Sequence, residues 1–341
     1  MRIEYKNFIL MEVTMKQNWI ETVLLHFHLG TLLKAPCAIT GGITNQLYQL
    51  TTTTGQYAIK IMNPNKLKED SDIIKKLEIS ETIATKARLN GVNAICAISF
   101  DQHYVNENDG IYFLIYPWCD GTILASKEIT PTHLKLIAKQ QATLHKIKVT
   151  TSYDLKEMSK IDYSYYYNLV KFKEEPWALF FRNKFYKLQE IYEITFQNYQ
   201  HLSKQVSYVH KDLNRKNILW QNETPYIIDW ETATISNPSL DFFNSAWFLT
   251  EDIKKDKYKV FTKEYLTIMN LEDPIEVSIY SAIIEECKWL EFSLKRALGL
   301  YSSENSEIEL GKASIESSLT EIINYFDKIP FMIQYLKEVS L

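Results

Sequence analysis

Asp212 and Asn217 stand five positions apart in His210-Lys211-Asp212-Leu213-Asn214-Arg215-Lys216-Asn217, the spacing HxDxxxxN. The apolar pair Ile218-Leu219 follows at once and begins a strand. Asn222-Glu223 suits a turn, and Tyr226-Ile227-Ile228 makes a second strand that delivers Asp229 at its end. An HxD triplet alone, or an Asp closing an apolar run, means little, because an Asp at a strand end is ordinarily a turn residue. The whole succession is a far narrower pattern. It supplies the parts that phosphoryl transfer from ATP requires: a carboxylate to accept the acceptor hydroxyl's proton, and an amide oxygen and a second carboxylate to hold magnesium. Asp212 reads as the base, and Asn217 and Asp229 as the metal ligands.

These residues need a framework, and the periodicity describes one. Trp19–Leu29 carries Ile20, Val23, Leu24 and Phe27 at helical spacing. His26 and His28 are two apart, so they face different sides of that helix and make a poor metal pair. Ile39-Thr40-Gly41-Gly42-Ile43-Thr44-Asn45 leads into the alternating run Leu47 to Leu50, and Tyr57-Ala58-Ile59-Lys60-Ile61 follows Thr54-Gly55, a β-hairpin. Gly41 and Gly42 would let the backbone approach phosphates, although such a pair alone is more often an ordinary turn. Asp70–Leu89 reads as a helix stopping at Asn90-Gly91. Ala94–Phe100 and Ile111–Tyr116 read as strands around a polar turn at 106–110. Thr132–Lys146 and Asn183–Leu202 read as helices. After Asp241 the chain is helical, with helices over Phe242–Leu249, Glu276–Leu300 and Lys312–Lys328, the last stopping before Pro330.

The 208–241 stretch resembles the aminoglycoside phosphotransferase and choline kinase superfamily, whose fold is that of the protein kinases. The resemblance rests on His210, Asp212, Asn217 and Ile228-Asp229-Trp230-Glu231. The Gly41-Gly42-Ile43-Thr44-Asn45 run is similar to the Gly-Gly-Leu-Thr/Ser-Asn segment of choline and thiamine kinases. There are two departures. Lys211 stands where the family usually has Gly, and Trp230-Glu231 stands where protein kinases have Phe-Gly. The second departure, with no Ala-Pro-Glu downstream and no room for a long activation loop, points away from protein kinases.

The resemblance implies further roles. Gly41, Gly42 and Asn45 would lie along the nucleotide phosphates, and Lys60 would contact the α- and β-phosphates. A carboxylate of the 70–89 helix would pair with Lys60. Glu78 and Glu81 are three apart on one face, and the spacing of Glu81 from Gly91 is the more similar to the family's. The backbone of Pro117, Trp118 and Cys119 would form the hinge that holds adenine, a reading that rests on position, since residue types do not separate a hinge from a plain turn. His145 and Asp241 would be structural. The aromatic 153–207 segment would help build the acceptor pocket, with most of its rings serving helix packing.

Composition fits this reading. The chain has 341 residues, 46% apolar and 23% charged, enough for a buried core in one large or two medium domains. A formal net charge of −4 without a basic cluster argues against nucleic acid. The four cysteines lack CxxC spacing, which argues against zinc or a disulfide framework and fits a reducing, cytoplasmic setting. No apolar run is long enough to span a membrane, and the N-terminus lacks a signal-peptide pattern.

The expected architecture is α+β: a two-lobed protein-kinase-like fold with a small antiparallel-sheet lobe over 16–116, a mostly helical lobe over 117–341, and residues 1–15 as an extension. The expected activity is ATP- and Mg2+-dependent phosphorylation of a small-molecule hydroxyl, like that of the aminoglycoside phosphotransferases. The alternatives are a choline-, ethanolamine- or thiamine-type kinase and a nucleotide-binding pseudokinase that regulates a partner. A monomer and a homodimer both fit. Glu231, Glu285, Glu286 and Trp289 suggest an acceptor that carries positive charge, through ammonium–carboxylate and cation–π contacts. The helix carboxylates read equally well as a solvated face balanced by Lys288, Lys295 and Arg296.

Overall fold

The computed structural model describes residues 18–39, 45–64, 67, 71–150, 159–250 and 253–339. The chain forms two compact units. The first takes the N-terminal region through Arg88, then Ala94–Gly121 and the short piece Ile228–Glu231; the second takes Leu89–Asn93, Thr122–Ile227 and the chain from Thr232 onward.

The first unit is built on a five-stranded antiparallel sheet in the order β1-β2-β3-β5-β4. The strands are β1 Cys37–Ile39, β2 Gln46–Thr51, β3 Gln56–Ile61, β4 Asn106–Asn108 and β5 Ile111–Pro117. Alternation along β3 decides its faces. Ile59 joins Phe113 and Ile115 of β5 in a core with Ile20, Val23 and Leu24 from a helix over 18–26. Lys60, paired with Leu114, points the other way. Leu114 packs there with Met62 and with Leu77 of the helix Ile73–Leu89, α1. The β4–β5 loop is Asp109-Gly110, with φ of 53° and 77° at the two residues. Positive φ at both centres is the geometry of a two-residue hairpin, which Asp-Gly sequences adopt readily.

Ala94–Phe100 does not form the strand its apolar pattern suggests. The Ala97 N–H is given to the Glu81 carboxylate and the Ile98 N–H to the Ile115 carbonyl, while Phe100 bridges only to His103. The backbone donors go to scattered partners, so no ladder forms.

The second unit is mainly helical. In chain order its helices are α2 Pro131–His145, α3 Tyr163–Val170, α4 Pro176–Gln200, α5 Pro238–Leu249, α6 Lys255–Ile268, α7 Ile275–Ala282, α8 Ile284–Ala297 and α9 Asn305–Val339. Thr130 caps α2, its hydroxyl accepting from the His133 N–H with Pro131 in the first turn. Two short antiparallel pairs carry the catalytic-loop candidates: β6 Ser207–Val209 with β9 Thr234–Ser236, and β7 Ile218–Gln221 with β8 Thr224–Ile227. Asn222 and Glu223 turn β7 into β8 with positive φ.

Several helix limits differ from those expected: α4 begins at Pro176 instead of 183 and α9 at Asn305 instead of 312. The single helix over 276–300 is broken at Ile283, after a turn in which the Ser278 and Ser281 hydroxyls bond back to the carbonyls of Pro274 and Val277. Such back-bonding bends a helix. The last helix continues through Pro330 to Val339. Proline removes one intrahelical bond, but Ile322, Tyr325, Ile329, Met332 and Leu336 form one buried stripe on both sides of it, and that packing holds the helix together. Helices α8 and α9 approach closely at Gly311, where an added Cβ would lie 2.4 Å from the Ala297 nitrogen.

Candidate active site

In the second unit, β6 leads into the loop that carries Asp212. Lys211, at the position where the family resemblance leads one to expect Gly, adopts φ of 66°, a conformation costly for a residue with a Cβ. It is held there by a bond from its N–H to Asp241 Oδ1 at 2.6 Å. Asp241 is buried and fixed in turn: Gln141 Nε2 donates to its Oδ2 at 2.6 Å and His145 Nε2 lies 3.1 Å from the same oxygen. Burial alone would raise the Asp241 pKa, but the His145 and Gln141 contacts hold it below the ordinary aspartate value. His145 Nδ1 faces the Tyr265 hydroxyl at 2.6 Å. Both His145 and Asp241 thus brace the loop from within the core.

Asp212 is clasped by amides. Asn217 Nδ2 donates to the Asp212 backbone oxygen and to its Oδ2, each at 2.8 Å. Asn214 Nδ2 donates to Asp212 Oδ1 at 2.5 Å, and Asn214 Oδ1 accepts the Lys216 N–H, capping the short 3-10 turn Arg215–Asn217. The sequence reading passed over Asn214. Its signal was its place inside the HxDxxxxN spacing and its N-cap chemistry. Because both acceptors on Asp212 attract an amide N–H, the Asn217 side chain is oriented with Oδ1 as its remaining polar atom.

In the first unit, Lys60 Nζ lies 2.9 Å from Asp229 Oδ1 and 2.5 Å from Glu231 Oε1. Asn45 Nδ2 donates to the same Glu231 oxygen at 3.0 Å. Burial works against the charged ammonium, but Glu231 and then Asp229 more than offset it and raise Lys60 above the ordinary lysine value. Asp229 takes φ of 62°, and the neighbouring Trp230 is buried.

The two α1 candidates for pairing with Lys60, Glu81 and Glu78, have other hydrogen-bond partners. Among the described residues no ion pair joins Lys60 to either α1 candidate. Glu81 accepts the Ala97 N–H at 2.7 Å and the Tyr116 hydroxyl at 2.7 Å, while Glu78 accepts the N–H groups of Tyr104 and Val105. Burial pushes the Glu81 carboxyl up to about 7, against the lowering effects of those bonds and of Lys60. Glu231, expected at the acceptor, engages Lys60 and Asn45.

Gly41 and Gly42 lie outside the described residues. In the expected hinge, Pro117 has no N–H and the Trp118 N–H is given to the Gln56 carbonyl at 3.1 Å. Within 117–119 this leaves the Cys119 N–H, and the carbonyls, to meet a base. Trp118 Nε1 donates to Asp120 at 2.7 Å.

The acceptor candidates on α8 divide into different kinds. Glu285 lies 2.9 Å from both Lys211 Nζ and Lys288 Nζ. Burial would raise its pKa, but these two lysines hold it below the ordinary glutamate value. Two lysines already face its charge, in keeping with the alternative of a face balanced by Lys288. Among the described residues no cation pairs with Glu286. Burial, followed by the charges of Glu321, Asp212 and Glu285, pushes it up to about 7. Trp289 is 45% exposed, with its ring 5.6 Å from that of Phe292.

Among the described residues no group of three or more His, Cys, Asp or Glu gathers as a metal cluster. The expected ligands, the Asn217 amide oxygen and the Asp229 carboxylate, are nonetheless the hard oxygen donors that suit magnesium, which takes few protein ligands and completes its shell with water and phosphate.

A family model described as the phosphotransferase enzyme family matches residues 37–270. No curated protein sequence matches the chain. Among solved structures, the spectinomycin phosphotransferase in complex with ADP and spectinomycin has a TM-score of 0.61 at 15% identity, over 86% of this chain and 93% of that one. The Plasmodium vivax ethanolamine kinase has a TM-score of 0.57 at 19% identity, over 84% and 82%. A choline kinase from Streptococcus pneumoniae has a TM-score of 0.56 at 16% identity, over 90% and 99%. These likenesses show the protein-kinase-like α+β fold. Among the described residues no helix is long and apolar enough to cross a membrane.

Proposed function

The chain belongs to the phosphotransferase enzyme family, and we propose that its donor is ATP bound with magnesium and its acceptor a small alcohol that also carries positive charge, as in the aminoglycoside phosphotransferases. The observation that carries this reading is the clasp on Asp212. Amide donors on both carboxylate oxygens orient it as a base for a hydroxyl proton. Asp212 then accepts the acceptor's proton as the acceptor oxygen attacks the γ-phosphorus and the bond from that phosphorus to the departing ADP oxygen breaks. Lys60 neutralises phosphate charge, the backbone of 117–119 holds the base, and Asn217 and Asp229 hold the metal. Magnesium held there would supply positive charge against the phosphates.

The charge of the acceptor is argued from Glu286. It is a mostly buried carboxyl within electrostatic reach of Asp212, with no cation of its own among the described residues. An ammonium group placed there would relieve the repulsion among the carboxylates. Spectinomycin, choline and ethanolamine, the compounds in the names of the structural neighbours, all carry a nitrogen that is cationic at neutral pH, and this supports the same reading.

The test is ADP release with a panel of acceptors: aminoglycosides, choline, ethanolamine and thiamine against neutral sugars and nucleosides. Turnover is expected with a cationic member. Turnover confined to neutral acceptors would overturn the charge assignment, and no turnover with any hydroxyl compound in the presence of bound ATP would overturn the reaction.

A further inference from the structure

We propose that Glu231 is the positioning residue for Lys60, taking the part expected of an α1 carboxylate, and that it ties the lysine to Asn45. The inference rests on the nucleotide-site reading of Lys60 given above. A single oxygen, Glu231 Oε1, receives both Lys60 Nζ at 2.5 Å and Asn45 Nδ2 at 3.0 Å. Asn45 Oδ1 accepts the Asn63 N–H at 3.2 Å. The residue before β2, the lysine of β3 and the segment just past β3 are thus joined through one carboxylate.

The two carboxylates on α1 are committed elsewhere. Glu81 satisfies a buried main-chain N–H at Ala97 and the Tyr116 hydroxyl, and Glu78 satisfies the N–H groups of Tyr104 and Val105. Moving either to Lys60 would orphan the donors it serves, a full desolvation cost with no compensating bond. Asp229 is the other carboxylate on Lys60 and is 43% exposed. As a metal ligand it would share its charge with the cation, and Glu231 is the carboxylate left to hold the ammonium. Lysine is a point charge on a flexible stem with no preferred fork geometry, so its position depends on the acceptor that anchors it.

Two measurements test the proposal. The first uses the nucleotide-free chain: melting temperatures of Lys60→Met, Glu231→Gln, Glu81→Gln and the double variants. The Lys60–Glu231 cycle is expected to be non-additive by about one degree or more and the Lys60–Glu81 cycle, which has only the longer-range charge effect, to show a smaller coupling. The second measures affinity for magnesium–ATP by calorimetry together with steady-state kinetics. Glu231→Gln is expected to weaken binding and raise the KM for ATP by about tenfold or more, with a smaller change in kcat, which marks loss of uniform binding. Glu81→Gln should change affinity by much less, and Asn45→Ala should add little in the Glu231→Gln background. An additive Lys60–Glu231 cycle, or loss of affinity in Glu81→Gln but not in Glu231→Gln, overturns the proposal. A wild-type chain that binds no magnesium–ATP yet shows the non-additive cycle overturns the nucleotide reading and supports the lysine pairing.

Discussion

Lys60 Nζ meets Asp229 Oδ1 at 2.9 Å, and Asp229 reaches that place from a left-handed backbone at φ of 62°. Positive φ on a residue with a Cβ is the kind of local strain that surrounding structure must hold in place. Asparagine tolerates this conformation, so Asp229→Asn removes the charge without changing the backbone. The expected result is a chain that melts near the wild-type temperature but has lost most of the magnesium dependence of its ATP affinity, as read by calorimetry at several magnesium concentrations.

Asp212→Asn is expected to keep magnesium–ATP affinity and to lower kcat by about 10²–10⁴-fold, the usual weight of a positioned general base. Steady-state kinetics with a saturating acceptor provides the check. Equal loss of nucleotide binding in the Asp212 and Asp229 variants would mean the two roles are misassigned.

Glu286 gives a stability prediction tied to pH. Its folded-state pKa is pushed up to about 7 from the ordinary 4.5. The fold therefore favours the neutral acid. That contribution is fully present below about pH 4.5 and is lost as pH rises through about 7. Glu286→Gln should melt like wild type at pH 4 and at a higher temperature at pH 8, by at most about 3 kcal/mol of stability. The same variant should raise the KM of a cationic acceptor. Gain of stability with loss of acceptor affinity is the mark of a carboxylate kept for function.

Gly311→Ala sets two magnitudes against each other. Helix propensity alone favours Ala over Gly by about 1 kcal/mol. At this site the new Cβ would lie 2.4 Å from the Ala297 nitrogen and 2.8 Å from the Ser293 oxygen, both backbone atoms that cannot swing aside. Overpacking of this kind costs about 1–3 kcal/mol, so denaturant unfolding is expected to show a net loss of stability.

The hairpin at 218–227 was legible in the sequence because it depends on short-range spacing, and the same spacing singled out Asp212 and Asn217, though not the hydrogen bonds between them. The family match over 37–270 bears out the recognition drawn from those motifs. The choice of lysine partner was not legible. Glu81 and Glu231 are both carboxylates near a lysine in the fold, and what separates them is a competitor, the Ala97 N–H, that claims Glu81 through a contact 16 positions away. Half of the neutralisation of Glu285 was open to the sequence and half was hidden. Lys288 lies on its own helix, but Lys211 comes from a loop far earlier in the chain. Asn214 was visible by spacing and overlooked because the motif counts only its ends. The Pro330 helix defied a local rule because burial of Ile329 and Met332 outweighs one lost backbone bond.

Metal-dependent ATP binding, with Asp229 as a ligand, is the core of the proposed function. Its most direct test is calorimetric titration of ATP into the wild-type chain with and without magnesium, alongside Asp229→Asn. The account predicts binding that strengthens markedly with magnesium in the wild type and little magnesium effect in the variant. ATP affinity indifferent to magnesium, or no heat of binding at millimolar ATP with magnesium present, would contradict it.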